Sequence, residues 1–334
     1  MENSSSPKIS IAMATYNGEA YLKEQLYSFV SQTQLPDEVV ASDDNSTDRT
    51  VEILRAFKKE APFEVKIIEK DENVGYKKNF ERALQHVTGD LIFMSDQDDV
   101  WFKHKIERII HHSEQYPNSQ VFINDTELTD GNLNPSGITK IDQIKVMGMG
   151  TSTMVMGTCT AIKKSFLSLI LPIPGNYNAG HDDWIHDFGK IFDIRKIIPE
   201  TLQYYRIHGS NISTSVVNTP KKINFIRFYY EKINSDDSVK KSLVKRLNRA
   251  IILEKWISKN STKIEKVIEN RLDPEEILLI LKEEIEVLQN RIQVLSIGRL
   301  KRLRMIGKLL LNKQYHTYFS GLKSAIYDLL KGKN

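Results

Sequence analysis

Residues 91–99 read Leu91-Ile92-Phe93-Met94-Ser95-Asp96-Gln97-Asp98-Asp99, so that three acidic residues follow directly on a short apolar run. The run has the length and composition of a buried strand, and the acids therefore lie where that strand ends. Like charges gathered at one point repel unless a cation binds, and carboxylate oxygens suit a hard ion such as Mg²⁺ or Mn²⁺. The pattern indicates a metal site, with an acidic turn before a helix as the alternative.

Short apolar runs alternate with helix-like segments upstream of this stretch, with strands predicted over residues 8–14, 38–41, 63–68 and 90–94. Such alternation is typical of a parallel sheet wrapped by helices. Right-handed crossovers bring the carboxyl ends of the strands to one edge, where ligands bind in open sheets. That edge is predicted to carry Thr15-Tyr16-Asn17, Asp43-Asp44, residues 73–80 and residues 95–99.

The second part of the chain has a different pattern and a different charge. A helix over 102–116, strands over 120–124 and 196–205, and loops over 130–157 are expected. Beyond Pro220 the pattern predicts helices over 223–234, 239–259 and 274–295. Residues 1–219 contain 22 basic and 30 acidic side chains, whereas residues 220–334 contain 25 and 13. We therefore expect a domain over 1–219 and a basic helical module over 220–334, whose charge suggests an anionic partner.

Several classes of protein lose support from the composition. The chain has neither a Gly-x-Gly-x-x-Gly fingerprint after its first strand nor a P-loop motif. No run approaches the roughly 18 to 20 apolar residues of a membrane span, and residues 1–7 have no apolar signal-peptide core, so the protein is expected in the cytosol. The single Cys159 excludes an internal disulfide and a thiolate-rich metal site, and is expected to be a buried filler.

Four ordered segments carry a resemblance to a known family. They are residues 13–18 (Met-Ala-Thr-Tyr-Asn-Gly), residues 42–48 (Ser-Asp-Asp-Asn-Ser-Thr-Asp), Asn73-Val74-Gly75 with Asn79-Phe80, and residues 95–101 (Ser-Asp-Gln-Asp-Asp-Val-Trp). In this order and spacing they resemble the inverting family 2 glycosyltransferases. The likeness extends to about residue 215 and is greatest to bacterial rhamnosyltransferase-type members that build surface polysaccharides. It implies an α/β GT-A fold, that is, a Rossmann-like nucleotide-diphospho-sugar transferase domain, followed by a mostly helical C-terminal module.

The resemblance also implies roles for individual residues. Asp44 would read a pyrimidine base, Asp96 would face the ribose, Asp98 would bind the metal, and Asp99 would support them. Other positions implied to line the nucleotide pocket or to contact the donor sugar are Ala14, Thr15, Tyr16, Lys78 and Asn79. For Lys78 and Asn79, a polar helix start is an equally good interpretation.

A second acidic cluster, Gly180-His181-Asp182-Asp183-Trp184, supplies candidates for a general base. Glycosyl transfer with inversion needs a carboxylate that takes the proton of the acceptor hydroxyl. The resemblance implies that Asp182 is this base, with Asp183 as the alternative because an acid stands there in place of the aromatic of many relatives. An acidic helix start is the structural alternative. Residues 157–160 resemble a stretch that shapes the acceptor side.

The segment Tyr204-Tyr205-Arg206-Ile207-His208 resembles a further family motif. The resemblance implies that His208 completes the metal shell and that Arg206 steadies the leaving diphosphate, since guanidinium pairs bidentately with phosphate oxygens.

Residues 287–327 contain no acidic residue. Their basic residues are Arg291, Arg299, Lys301, Arg302, Arg304, Lys308, Lys313 and Lys323. On a helix, the residues Leu300, Leu303, Ile306, Leu310 and Leu311 are expected to share one apolar arc opposite Lys301, Arg304 and Lys308. Such a helix can lie in a membrane interface or pack on its neighbours.

These observations support one main hypothesis and two alternatives. The main one is a metal-dependent glycosyltransferase that uses Mg²⁺ or Mn²⁺ at the cytoplasmic face of the plasma membrane. It would move rhamnose from dTDP-rhamnose, or a hexose from a UDP donor, to a lipid-linked glycan. One alternative is a non-catalytic nucleotide-sugar-binding membrane scaffold. The other, nucleic-acid binding, is disfavoured because residues 287–313 have no aromatic side chain among their basic residues.

Overall fold

A computed structural model describes residues 6–209, 211, 218–223, 238–268 and 273–331. The chain forms two units, one of Met1–Ile173 with Gly180–Phe225 and one of Pro174–Ala179 with Ile226–Asn334. The domain boundary after residue 219 stays a prediction. The helix predicted over 223–234 lies outside the described residues, except for its first position.

The first unit is built on a mixed sheet. Its described strands are β1 (Ile9–Thr15), β2 (Glu38–Asp43), β3 (Glu64–Ile68), β4 (Leu91–Ser95), β5 (Val100–Trp101), β6 (Val121–Thr129), β7 (Pro135–Thr139), β8 (Thr160–Lys163) and β9 (Arg195–Arg206). They pair in the order β3-β2-β1-β4-β8-β6-β9-β5, with β7 paired to β6. Strands β1 to β4 are parallel, as predicted, whereas β8 runs antiparallel to β4 and β6.

The helices of the first unit cover the sheet. They are α1 (Leu22–Val30), α2 (Thr50–Glu60), α3 (Tyr76–His86), α4 (Lys105–Gln115), α5 (Lys140–Val146), α6 (Lys164–Ile170) and α7 (His181–Ile191). Apolar residues on α1, α2 and α4, such as Phe29, Leu54 and Ile106, pack against the buried residues of β1, β2 and β4. The regular spacing of these apolar positions explains why the N-terminal half was predictable.

The register of the parallel strands brings their carboxyl ends level. Thr15 of β1 is paired with Asp43 of β2, and Met13 of β1 is paired with Ser95 of β4. The polar residues that follow these strands therefore meet at one edge of the sheet.

The prediction of loops over 130–157 was wrong in part, because β7 and α5 lie there. Helix α5 is nucleated by a capping box, in which the Thr139 side chain accepts the Asp142 N–H and the Asp142 carboxylate accepts the Thr139 N–H. The cap stands next to glycine and asparagine residues, which made the segment resemble loops. Cys159 is buried, as predicted.

The second unit is helical in its described residues. Its helices are α8 (Ser238–Val267), α9 (Pro274–Val294), α10 (Arg299–Leu311), α11 (Gln314–Tyr318) and α12 (Leu322–Lys331). Helix α8 contains a non-helical residue, Asn260. None of the helices in the described ranges combines the length and apolarity needed to cross a bilayer.

A buried ion pair joins two helices of this second unit. The Arg291 guanidinium donates to both carboxylate oxygens of Asp328, at 2.8 and 3.1 Å, and the Tyr315 hydroxyl donates to the same carboxylate at 2.7 Å. Arg302 is also buried and donates to the carbonyl oxygens of Leu329 and Ile297. Two of the residues in the basic run of the sequence are therefore structural.

Glu38 anchors the amino-terminal edge of the sheet of the first unit. Its buried carboxylate accepts hydrogen bonds from the Ser10 hydroxyl, from the N–H and hydroxyl of Thr88, and from the Lys66 ammonium. Burial raises the pKa of Glu38, but these donors outweigh it and lower the pKa from 4.5 to about 2. The folded state therefore favours the charged carboxylate.

We expect Glu38→Gln to lower the free energy of unfolding by about 3 kcal/mol at pH 7, because a shift of this size stabilises the charged native state. A depressed pKa contributes stability above its unfolded value, which is lost as the pH falls from 4.5 towards 2. The difference between wild type and variant, measured by urea unfolding, should therefore shrink between pH 5 and pH 3. Glu64→Gln, at an exposed position of β3, is the matched control. A pH-independent difference would contradict this account.

Candidate active site

Three carboxylates gather where β4 ends. Asp96, Asp98 and Asp99 each place an oxygen within 4.8 Å of the others. The segment after β9 adds an imidazole, since His208 Nε2 lies 2.9 Å from Asp98 Oδ2. The structure therefore brings together the residues predicted as metal ligands, although 110 positions separate Asp98 from His208.

The electrostatics of this cluster suit a cation. Burial, together with the charges of Asp98, Asp99 and Asp182, raises the pKa of Asp96 well above its usual value. Burial and the Asp98 charge raise the pKa of Asp99 to about 7. The carboxylate oxygens are ligands that suit Mg²⁺ and Mn²⁺. The imidazole nitrogen beside them is a ligand that Mn²⁺ also accepts. The residues present therefore fit a divalent ion.

Asp99 is held by protein donors. Its carboxylate accepts from the Thr158 hydroxyl, from the Gln203 amide at 3.2 Å and from the Arg206 N–H at 3.2 Å. Lys105 is buried and donates to the Thr158 carbonyl oxygen at 3.1 Å and to the Gln203 side chain. Burial lowers the pKa of Lys105 to about 8. This network holds the Asp99 carboxylate in place, whereas the carboxylates of Asp96 and Asp98 are held by fewer protein donors.

The second acidic cluster reaches the first through two adjacent residues, Gly157 and Thr158. A Cβ at Gly157 would lie 3.0 Å from His181 Nε2 and 3.5 Å from the Asp182 Cβ, so the backbone approaches α7 closely. Thr158, the next residue, donates to Asp99. The charge of Asp182 also contributes to the raised pKa of Asp96. Residues 157–158 therefore contact both clusters.

Asp182 and Asp183 differ in their surroundings. The Asp183 carboxylate accepts the Gly180 N–H at 3.2 Å and so closes the first turn of α7. Asp182 accepts the Asp183 N–H at 3.0 Å. Of the two, only Asp182 is among the charges that raise the pKa of Asp96. Asp182 is therefore the one whose charge acts on the cluster of Asp96, Asp98 and Asp99.

The predicted nucleotide pocket lies beside β1. Thr15 is buried and donates to Asp43 at 2.8 Å, while the Asn79 amide of α3 donates to the Thr15 carbonyl oxygen at 3.1 Å. Ala14 is half-buried and Tyr16 is exposed. A hydrogen bond thus joins Asn79 to Thr15 of β1. Strand β1 pairs with β4, which the cluster of Asp96, Asp98 and Asp99 follows.

Asp44 has an unexpected set of partners. Its two oxygens accept the N–H groups of Val74 and Gly75, at 2.9 and 2.8 Å. Gly75 has φ +85°, which favours glycine, and is the N-cap residue of α3. Asp44 therefore holds the 73–75 loop in place, and its contact with a base stays a prediction.

Arg206 is committed to the protein. Its guanidinium donates to the carbonyl oxygens of Asp98 and Gly131, at 2.8 and 2.9 Å, and pairs with Glu24. It also stacks on the Tyr21 ring at 4.5 Å. Its direct contact with diphosphate stays a prediction.

Lys78 is exposed on α3, and in the described parts of the chain no contact joins it to either cluster. Its neighbour Lys77 is half-buried, and its charge contributes to a lowered pKa of His181. The structure therefore places Lys77, which the sequence did not single out, nearer to the site.

Gln97 was also missed, although it lies inside the predicted metal motif. Its amide accepts the Tyr16 N–H at 2.8 Å and donates to the Tyr16 carbonyl oxygen at 2.9 Å. A Cβ at Gly18 would lie 2.2 Å from Gln97 Oε1, so the contact requires glycine there. Gln97 thus ties the loop after β1 to the metal cluster. In the sequence, the one indication of such a role for Gln97 is that this amide residue stands between two acidic residues.

Comparisons with known proteins show which family and which folds this chain resembles. Residues 10–170 match the family model described as Glycosyl transferase family 2. A relative from Nostoc sp., named as an uncharacterized glycosyltransferase alr2836, is 29% identical over 221 residues, which cover 61% of this chain and 66% of that protein. The dTDP-rhamnosyl transferase RfbG of Shigella flexneri is 40% identical over 102 residues, which cover 29% and 35%. The chain thus spans about two thirds of the first relative and about a third of the second.

Solved structures share the fold at low sequence identity. The S. aureus TarS 1-349 complex with UDP has a TM-score of 0.51 at 16% identity, with 96% of this chain and 89% of that chain covered. The mannosyltransferase PcManGT of Pyrobaculum calidifontis, in complex with GDP-Man and Mn²⁺, has a TM-score of 0.50 at 16% identity, with 98% and 88% covered. The predicted α/β GT-A fold with a helical C-terminal region is confirmed. The likeness to rhamnosyltransferases rests on the partial match alone.

We expect Gln97→Ala to weaken nucleotide binding about tenfold, because the loss of two hydrogen bonds frees the loop that begins at Tyr16, directly after Ala14 and Thr15 of β1. Calorimetry with UDP, dTDP and GDP in the presence of Mn²⁺ would measure this effect for whichever nucleotide binds the wild type. Gln85→Ala, at an exposed position of α3, is the control. Equal affinities for Gln97→Ala and wild type would contradict a positioning role.

Proposed function

We propose that this chain, which carries a family 2 glycosyltransferase domain of GT-A fold, is a metal-dependent, inverting glycosyltransferase. One observation carries the proposal: Gly157 approaches Asp182 closely, and the adjacent Thr158 donates to Asp99 of a carboxylate cluster that fits a divalent cation. A binding module needs only such a cation site, whereas transfer also needs a carboxylate that acts as a base. The non-catalytic scaffold is therefore the weaker alternative.

Asp98 and His208 would hold the ion, since their ligand atoms lie 2.9 Å apart. A bound Mg²⁺ or Mn²⁺ supplies charge that stabilises the departing nucleoside diphosphate. Asp96, beside them, would face the ribose. Thr15, Tyr16 and Ala14 would surround the nucleotide, with Asn79 fixing the Thr15 backbone.

Asp182 is the proposed general base. It takes the proton of the acceptor hydroxyl while the hydroxyl oxygen bonds the anomeric carbon of the donor sugar, and the bond from that carbon to the diphosphate breaks on the opposite face. Asp183 closes the helix turn that positions Asp182. Burial lowers the pKa of the neighbouring His181, which keeps that imidazole neutral near pH 7.

A deoxyhexose donor, dTDP-rhamnose, is the proposed substrate, supported by the partial similarity to a dTDP-rhamnosyl transferase. A UDP-hexose is the alternative, supported by the fold shared with a UDP complex. The proposed acceptor is a lipid-linked glycan of a surface polysaccharide, reached at the cytoplasmic face of the membrane. The basic composition of residues 220–334 supports this location.

Asp182→Asn should lower kcat at least a thousandfold, because the amide cannot take the proton, while nucleotide affinity stays within a few-fold of wild type. Turnover of radiolabelled dTDP- and UDP-sugars with an extracted lipid-linked acceptor would measure kcat. Asp183→Asn is the matched control, for which we expect a smaller loss, about tenfold, from a weakened helix turn. The reverse order of effects would assign the base to Asp183.

Asp98→Ala should remove Mn²⁺-dependent nucleotide binding and leave the fold intact, since it relieves repulsion among neighbouring carboxylates. Calorimetry with the nucleotide, with and without Mn²⁺, would test the first expectation, and thermal unfolding the second. Asp130→Ala, at a half-buried position outside the cluster, is the control. A metal response unchanged by Asp98→Ala would exclude this residue as a ligand.

A further inference from the structure

We infer that helices α10 and α12 form a surface that binds anionic lipid bilayers directly. We call it the leucine face, and it consists of the exposed residues Leu300, Leu303 and Leu311 of α10 with Leu322, Ile326, Leu329 and Leu330 of α12. This inference rests on the proposed function, which includes a lipid-linked acceptor. It deepens that function by naming the surface of the protein that binds the bilayer.

The exposed leucines of α10 form a stripe. Leu300, Leu303 and Leu311 are 86%, 51% and 85% exposed. Three- and four-residue steps place them, with Gly307, along one side of the helix. Ile306 and Leu309, further round the helix, are buried within the unit. The predicted arc from Leu300 to Ile306 is therefore divided by packing, which buries Ile306 and leaves Leu300, Leu303 and Leu311 exposed.

Helix α12 repeats this arrangement. Its exposed residues Leu322, Ile326, Leu329 and Leu330 fall on one arc, and Ala325 and Asp328 on the buried side. Seven exposed aliphatic residues on two helices of the same unit that pack on each other exceed the scattered surface leucines that soluble proteins normally show. The leucine face therefore needs an apolar partner.

Charge identifies that partner. Arg291 and Arg302 are buried, so among the side chains described over residues 287–330 the basic ones that reach the surface are Arg299, Lys301, Arg304, Lys308, Lys313 and Lys323. The only acid between residues 287 and 331 is Asp328, which is buried and paired with Arg291. The surface of this segment therefore offers cations and aliphatic side chains together. Anionic lipid headgroups attract the first, and the acyl boundary accepts the second.

A second copy of the chain fits this surface less well. In a symmetric dimer the same patch meets itself, so the exposed cations of one copy would approach those of the other. Nucleic acid would satisfy the cations but leave the leucines in water. A bilayer satisfies both groups, and this decides between the three partners.

The experiment is flotation of the full chain with vesicles of phosphatidylcholine alone or with 30% phosphatidylglycerol. We expect binding to the anionic vesicles only. The combined variant Leu300→Ser, Leu303→Ser, Leu311→Ser should bind at least tenfold more weakly, because the apolar contact is lost. Lys301→Ser, Arg304→Ser and Lys308→Ser together should bind about tenfold more weakly and lose most of the salt dependence.

Leu279→Ser, at a position of α9 that is 68% exposed but outside the leucine face, is the matched control and should bind as the wild type does. Circular dichroism would verify that each variant is folded. Failure of the wild type to bind, or equal binding by the leucine variant and the control, would overturn the inference. Light scattering that shows a dimer dissociated by the leucine substitutions would assign the face to a second copy instead.

Donor hydrolysis in the absence of vesicles separates the two proposals. It requires no bilayer, so the leucine variant should hydrolyse the donor as the wild type does. If the wild type does not hydrolyse the donor, that result contradicts the proposed function, whereas the result of the vesicle flotation still stands.

Discussion

The site depends on one electrostatic constraint, the repulsion among three carboxylates held within 4.8 Å of one another at a sheet edge. The protein itself relieves part of this repulsion, since the Asp99 carboxylate accepts three hydrogen bonds and the buried Lys105 donates to the neighbouring Thr158. Asp96 and Asp98 are left in a partly buried, negatively charged place. A bound cation would offset the remaining repulsion among the carboxylates. The arrangement that destabilises the folded chain therefore also favours metal binding.

Strand β9 is the element that completes the site. It pairs with β6 in parallel and with the short β5 in antiparallel, and the pair Val100–Tyr204 links it to the residues just after Asp99. This pairing brings Arg206 and His208 to the cluster of Asp96, Asp98 and Asp99. The Arg206 guanidinium then bonds the Asp98 carbonyl oxygen, which fixes the backbone of the loop that bears the ligands. Arg206 thus acts on the geometry of the cluster through the backbone.

Local patterns predicted the parallel strands, the edge where they end and the identity of the acids, because each of these depends on a few consecutive residues. Contacts between distant segments were beyond such patterns. Glu24 and Tyr21 meet Arg206 across more than 180 positions, and Asp44 bonds a loop 30 residues away. The resemblance placed His208 near Asp98 because it transfers long-range information. It did not predict Gln97, whose function depends on the backbone of Tyr16.

The second unit shows why a count of charges is an incomplete guide to a surface. Arg291 and Arg302 belong to the basic run, yet both are buried. Arg291 tolerates burial because Asp328 pairs with it bidentately and Phe319 stacks on its guanidinium at 4.1 Å, interactions that a lysine ammonium cannot reproduce. Arg302 is held by two carbonyl oxygens. These two cations build the helical unit, and the exposed ones that remain give its leucine face a single sign of charge.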